Sequence, residues 1–145
     1  MNSVRVVKLN PNAVLPTYGS EGAAGADLYA CLSEDITILP GETAWISTGI
    51  ALEVPKGCAG LIYARSSMGV KRGLAPANKV GVVDSDYRGE IRVVLLNHGK
   101  EPQKICHGER VAQFVITPVL TPIYEEVTSL SNTDRGIGGF GSTGK

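Results

Sequence analysis

An all-β sandwich, jelly roll or barrel is the fold class this sequence predicts, and three observations carry it. Short β-branched runs recur along the whole chain, turn-forming segments separate them at short intervals, and no helical segments alternate with them. Glycine, at 18 of 145 residues, stands above the usual ~7% and acts as punctuation between the runs. In chain order, strands are expected at residues 4–9, 27–30 and 36–39, the last closed by Leu39-Pro-Gly-Glu42. Strands at 43–48 and 50–54 follow, ended by Val54-Pro-Lys-Gly57, and then one at 60–64. Residues 66–70 form the one segment suited to a short helical turn. Beyond it, strands are expected at 81–83 and at 91–97, the second framed by Tyr87-Arg-Gly-Glu90 and Asn97-His-Gly-Lys100. The last two are expected at 110–117 and 123–127. Local signals leave the strand order open.

Two of these strands, 91–97 and 111–116, are nearly continuous apolar runs, each interrupted by one polar group, Arg92 or Gln113. They read as buried on both faces, against another subunit or within an ordinary sandwich core. A buried amide such as Gln113 must be paired, either within the protein or by a ligand.

The chain is long enough for one domain that buries about two-thirds of its unfolded surface. The predicted units are a β-domain over 1–134 and a flexible glycine-rich C-terminal arm over 135–145. Charge is balanced, 14 basic against 14 acidic residues, so no global field attracts nucleic acid or a membrane surface. Cys31, Cys58 and Cys106 are an odd number at long spacings, which argues against a disulfide framework or zinc site. They read as small core residues in a reducing compartment, the cytoplasm. His98 and His107 read as surface or loop residues. No apolar run approaches the roughly 18 residues needed to span a membrane, and the first residues lack the apolar core of a signal peptide.

Four segments are suited to chemistry. In Gly81-Val-Val-Asp-Ser-Asp-Tyr-Arg-Gly-Glu90, Asp84 leaves a rigid apolar strand and is placed to face a pocket, which favours a general-base role. Asp86 points to the opposite side if the backbone stays extended. The plainer reading is an Asx-type turn, with Tyr87 packing on a sugar or merely covering the core edge. Arg65, Ser66 and Ser67 end an apolar strand where a helical turn begins, a combination suited to phosphate oxygens or, more plainly, a Ser N-cap beside a solvated arginine. Asp27 follows Gly22-Ala-Ala-Gly-Ala and can anchor a hydrated divalent cation through water, or simply start a strand. The arm, Arg135-Gly-Ile-Gly-Gly-Phe-Gly-Ser-Thr-Gly-Lys145, has little to bury but offers a guanidinium fork, a stacking ring and approachable backbone N–H groups. On composition alone it reads as a disordered Gly-Ser terminus, yet such a tail has no use for an exposed phenylalanine. No Walker loop is present.

The ordered co-occurrence of these segments with Gly108-Glu-Arg-Val-Ala-Gln-Phe114 resembles the five motifs of the homotrimeric dUTPases, across residues 22 to 144. The resemblance implies an all-β jelly roll, a homotrimer, and magnesium (Mg2+)-assisted hydrolysis of dUTP to dUMP and pyrophosphate. It implies active sites at subunit interfaces, each closed by the arm of one subunit over a site built by the other two. By this likeness Asp84 activates the water that attacks the α-phosphorus, and Tyr87 packs under deoxyribose and excludes a 2′-hydroxyl. Asn78 contacts uracil, and the backbone of Gly81, Val82, Val83 and Asp84 reads its edge. Arg65, Ser66, Ser67 and Gln113 match phosphate-binding positions, and Asp27 matches the acid that holds magnesium through water. Arg135 and Phe140 match the clamp on the γ-phosphate and the cover on the base, while Gly141, Ser142 and Thr143 supply further phosphate contacts. Arg92 falls on the far strand of the uracil hairpin, where the family varies. Ala64 stands where proline is usual, Ser67-Met68 where Gly-Leu is frequent, and Ile137 where the family is often polar or small. The related alternative is a dCTP deaminase, which shares the jelly roll and an Arg-Ser-Ser segment, but Asp84 within Asp-Ser-Asp-Tyr and the complete tail stand against it. A non-catalytic nucleotide-dependent interaction module is the alternative from another class.

Overall fold

The computed structural model describes residues 3–144; residues 1, 2 and 145, the outer ends of the two expected units, lie outside the described residues. The chain is all-β. It runs through β1 (Val6–Lys8), β2 (Thr17–Tyr18), β3 (Ala26–Tyr29), β4 (Ile36–Ile38), β5 (Thr43–Ser47), β6 (Ile50–Leu52) and β7 (Cys58–Tyr63). A five-residue π-helical turn (Ser67–Lys71) precedes β8 (Leu74–Pro76), β9 (Gly81–Val83), β10 (Arg92–Asn97), β11 (Gln103–Ile105) and β12 (Arg110–Pro118). One sheet has the order β2-β3-β12-β7-β9 and a second the order β5-β10-β8, with two further ladders, β1-β6 and β11-β4. Every pairing is antiparallel. No helix among the described residues is long and apolar enough to cross a membrane.

The core follows the period-two alternation of the strands. Leu28, Ile46, Ile62, Val93, Leu95, Val111 and Phe114 belong to one buried cluster. Asn97 sits fully buried among them with its amide satisfied: Nδ2 donates to Ile38 O at 2.9 Å and Glu101 O at 2.8 Å, and Oδ1 accepts from Gly99 N at 2.9 Å. Gly60 on β7 lets the two central strands close on Phe114, because a Cβ there would lie 2.7 Å from the Cε2 of that ring. The ring is itself buried and cannot swing aside. Gly60→Ala is therefore expected to destabilise the fold by about 1–3 kcal/mol, the usual cost of overpacking, read as a lowered urea midpoint.

The structure corrects the strand reading in three ways. First, β2, β8 and β11 were not expected; each has two or three residues and exists because another strand supplies its hydrogen bonds. Pro76 is tolerated in β8 because that strand edges its sheet. Second, residues 123–127 form no strand: Ile123 is 96% and Tyr124 94% exposed, with no ladder partner among the described residues. Third, β10 and β12 are not buried on both faces within the chain. Val94, Leu96 and Val115, on the second face, are only half-buried. The helical turn lies one residue later than expected.

The three cysteines are free, Cys31 in the core and Cys58 and Cys106 half-buried. A hydrogen bond to Asp35, with some desolvation, raises the Cys106 thiol above its ordinary range, so it stays protonated at neutral pH. His98 and His107 are exposed, as expected, and His107 Nδ1 accepts from Leu32 N at 3.1 Å.

Candidate active site

The hairpin between β9 and β10 builds one concave site. β9 pairs with β7 at Gly81↔Ile62 and Val83↔Gly60, so Gly81 and Val83 turn inward while Val82 faces out. A Cβ at Gly81 would lie 3.1 Å from the Cβ of Ile62, and glycine is what lets the two strands pack this closely. After Val83 the chain turns, closed by Tyr87 N donating to Asp84 O at 3.2 Å. A main-chain carbonyl makes this turn, which leaves the Asp84 carboxylate exposed at the rim of a cavity of about 440 Å3. The same cavity gathers Asn78, Gly81, Val82, Val83, Tyr87 and Arg92, seven expected residues with Asp84. Asp86 instead lines a separate concavity with Arg5, Lys56 and Arg88, although the backbone turns here and does not stay extended.

Two further residues of the 440 Å3 cavity, Trp45 and Glu90, carry groups that sequence reading passed over. Trp45 and Glu90 line it, and Arg92 is held by both, its guanidinium 5.9 Å over the indole and its Nε donating to Glu90 Oε2 at 3.0 Å. Trp45 is the chain's single tryptophan, the one signal that could have singled it out.

A second concavity, about 370 Å3, holds Arg65, Ser67, Arg72 and Arg110. Arg65 is not a solvated arginine beside a cap. Its Nε donates to Asp27 Oδ1 at 2.8 Å, its NH1 reaches Ser67 Oγ at 3.4 Å, and Ser66 makes no capping bond. Arg110 NH1 grips the other Asp27 oxygen at 3.3 Å. Arg72 ties the helical turn to β11 and to the turn before β12, donating to Gln103 Oε1 at 2.9 Å, Lys104 O at 2.6 Å and Glu109 Oε1 at 3.3 Å. This cluster is preorganised: buried Asp27 compensates two guanidiniums, and a polyanion entering there finds donors already oriented. Gln113, directly opposite Asp27 on β12, donates to Ala64 O at 3.0 Å, so its amide nitrogen has an internal partner. Its Oε1 would lie 2.9 Å from a Cβ at Gly25, which is where the small residues before Asp27 matter.

Asp27 does not head a metal cage. Among the described residues no three His, Cys, Asp or Glu side chains cluster in a ligating arrangement. A lone carboxylate flanked by two guanidiniums fits a hydrated cation carried by phosphates and held through its water, and does not fit direct multidentate ligation.

The arm stands apart from both concavities. The hydrogen bonds of residues 135–144 close local turns, as in Arg135 Nε to Gly138 O at 2.8 Å and Ser142 N to Gly139 O at 3.0 Å. Phe140 is fully exposed with φ 52°, and Gly141 beside it has φ 87°. Nor do the two concavities share a residue. Within one chain the base-sized pocket, the arginine cluster and the arm are three separate pieces.

A family model described as dUTPase matches residues 11–144. The chain is 47% identical over 149 residues to a deoxyuridine 5'-triphosphate nucleotidohydrolase of Desulfitobacterium hafniense, covering 99% of each. Among solved structures it is similar to a Staphylococcus bacteriophage 80alpha dUTPase variant with dUpNHpp, at 28% identity and a TM-score of 0.91, with both chains fully covered. It is also similar to a variant dUTPase of phage phi11 of S. aureus, described with a structural Mg(II) ion, at 25% identity, a TM-score of 0.82 and coverage of 90% of this chain and all of that one. Matched over nearly its whole length in sequence and in fold, this chain belongs to the dUTPase family and is a dUTP diphosphatase.

Proposed function

We propose that the protein hydrolyses dUTP to dUMP and pyrophosphate, with Asp84 as the general base that takes a proton from the water attacking the α-phosphorus. The observation that carries this reading is the 440 Å3 cavity, where Asp84 stands at the rim of a backbone-lined slot beside Asn78 and Tyr87. The slot fits a pyrimidine. The main chain of Gly81, Val82 and Val83 can pair with the edge of uracil, and close walls reject a 5-methyl group by shape. Tyr87 forms the floor for deoxyribose.

A triphosphate brings about four negative charges to a protein with no net charge, so the counter-charge must be local. Arg65 supplies it from the second concavity and Arg135 from the arm, with Ser66, Ser67, Gln113, Gly141, Ser142 and Thr143 adding neutral phosphate contacts. Magnesium, held through water by Asp27, would shield the phosphate charge and orient the chain of phosphates. Arg65 leaves one Asp27 oxygen in contact with Arg110, so the acid keeps a cationic partner while it faces a hydrated ion.

A homotrimer supports this assignment best. The base pocket and the arginine cluster are separate in one chain, and Phe140 lies open, so neighbouring subunits bring the three pieces together. The half-buried second faces of β10 and β12 and the exposed apolar residues Leu120, Ile123 and Tyr124 offer surface for such contacts. Phe140 then covers the base and Arg135 clamps the γ-phosphate. Free thiols favour a cytoplasmic location, where dUMP feeds thymidylate synthesis and uracil is kept out of DNA.

A pyrophosphate-release assay across dUTP, dTTP, dCTP and UTP tests the reading. Release from dUTP well above the other three is expected. Ammonia from dCTP, or equal release from dUTP and dTTP, would overturn it.

A further inference from the structure

We infer that Glu90 is a positioning residue for sugar selectivity, holding the Tyr87 ring at the angle that admits deoxyribose and rejects ribose. The inference rests on the proposed role of Tyr87 and extends it to a neighbouring residue that would act through the ring.

Every hydrogen-bonding group of Glu90 on this side is engaged. Its main-chain carbonyl accepts the Tyr87 hydroxyl at 3.0 Å. Its Oε1 accepts Gly49 N at 3.0 Å and its Oε2 accepts Arg92 Nε at 3.0 Å. The side chain is 19% exposed, so the carboxylate is mostly withdrawn from water and depends on these partners. One residue thus links the phenol, the turn after β5 and the wall of the cavity.

The far end of this linkage is rigid. Gly49 has φ 68°, and a Cβ there would lie 2.9 Å from the Cβ of Ala13, so this turn is close-packed and takes only glycine. Its neighbours Thr48 and Ile50 are fully buried. Thr48 Oγ1 donates to Ile91 O, and Ile91 N donates to Ile50 O at 2.8 Å. Glu90 therefore hangs from a fixed main-chain clamp 41 residues earlier in the sequence, with Arg92 stacked on Trp45 bracing its other oxygen.

The near end is the ring. Tyr87 lies against Gly89, where a Cβ would come within 2.6 Å of Cζ. With Gly89 beneath and the Glu90 carbonyl holding the hydroxyl, the ring keeps a single tilt. Exclusion of a 2′-hydroxyl is a steric distinction between two sugars that differ by one oxygen. A ring free to rock by a few tenths of an ångström would admit both. Selectivity of this kind needs a support behind the contacting group, and Glu90 is that support.

The test is the ratio of kcat/KM for dUTP to that for UTP, measured in the full chain, in Glu90→Ala and in Glu90→Gln, with the melting temperature of each. Glu90→Ala removes both side-chain anchors, and the ratio is expected to fall at least ~10-fold, about 1.4 kcal/mol of discrimination. Most of the fall should come through a rise in UTP turnover and a higher KM for dUTP. Glu90→Gln still accepts from Gly49 N but loses the ion pair to Arg92, so the ratio should fall less, a partial rescue. Should Glu90→Ala not fold, Glu90→Gln decides the matter alone, a lowered ratio supporting the inference and an unchanged one overturning it. A ratio unchanged in both variants, or parallel losses on both nucleotides, overturns it and leaves only a structural role. Parent protein without dUTP hydrolysis would sink the function proposed above, whereas an active parent with unaltered selectivity in the variants sinks the positioning role alone.

Discussion

Asp84→Asn is expected to lower kcat on dUTP by about 10²–10⁴-fold, the range a positioned general base contributes, while nucleotide affinity stays close to that of the parent. The substitution is nearly isosteric. The turn after β9 is closed by the Asp84 main-chain carbonyl and not by its carboxylate, so the hairpin should keep its shape. Asparagine still hydrogen-bonds a water but cannot take its proton. The loss should therefore appear in kcat with KM little changed. Calorimetric titration with a non-hydrolysable dUTP analogue, beside steady-state kinetics, separates the two effects. Parent-like turnover in this variant is incompatible with the role assigned to Asp84.

Deleting residues 135–145 is expected to leave a folded, trimeric protein with little activity. The described residues of the arm add nothing to the hydrophobic core, and their hydrogen bonds close turns within the arm and its approach, so its removal should not move the melting temperature appreciably. What it withdraws is Arg135, Phe140 and the Gly141-Ser142-Thr143 donors, the groups proposed to complete a neighbour's site. Ordering a glycine-rich segment costs roughly 1–2 kcal/mol per residue in backbone entropy. The contacts it makes on a bound triphosphate must exceed that cost for closure to occur. Light scattering, thermal unfolding and turnover on one preparation check the expectation. Unfolding of the truncated chain, or full activity without the arm, would each refute it.

The hairpin chemistry was readable because it is local. Gly81-Val-Val-Asp-Ser-Asp-Tyr carries its own strand, turn and side chains in one stretch, and the structure keeps most of that stretch together in one cavity. The same holds for most strands, whose alternation and flanking turns are features of adjacent residues. β2, β8 and β11 were missed because two or three residues carry no periodic signal and become strands by pairing. The segment 123–127 erred in the other direction: its composition suits a strand, but no sheet edge among the described residues pairs with it. Arg65 and Asp27 were legible as separate residues. That they are joined, with Arg110 on the second oxygen, was not, since 38 and 83 residues separate the partners.

The amino-acid sequence alone determined the β class, the turn positions, the acid at the end of β9 and the glycine-rich arm. These depend on side chains a few residues apart, and short-range sterics and hydrogen bonding decide them. Tertiary structure alone decided which groups meet: Asp27 between two arginines, Glu90 suspended from Gly49, and the division of the site into pieces that one chain does not unite. Such contacts are set by strand register and sheet order, which emerge only when distant segments compete to bury the same apolar surface.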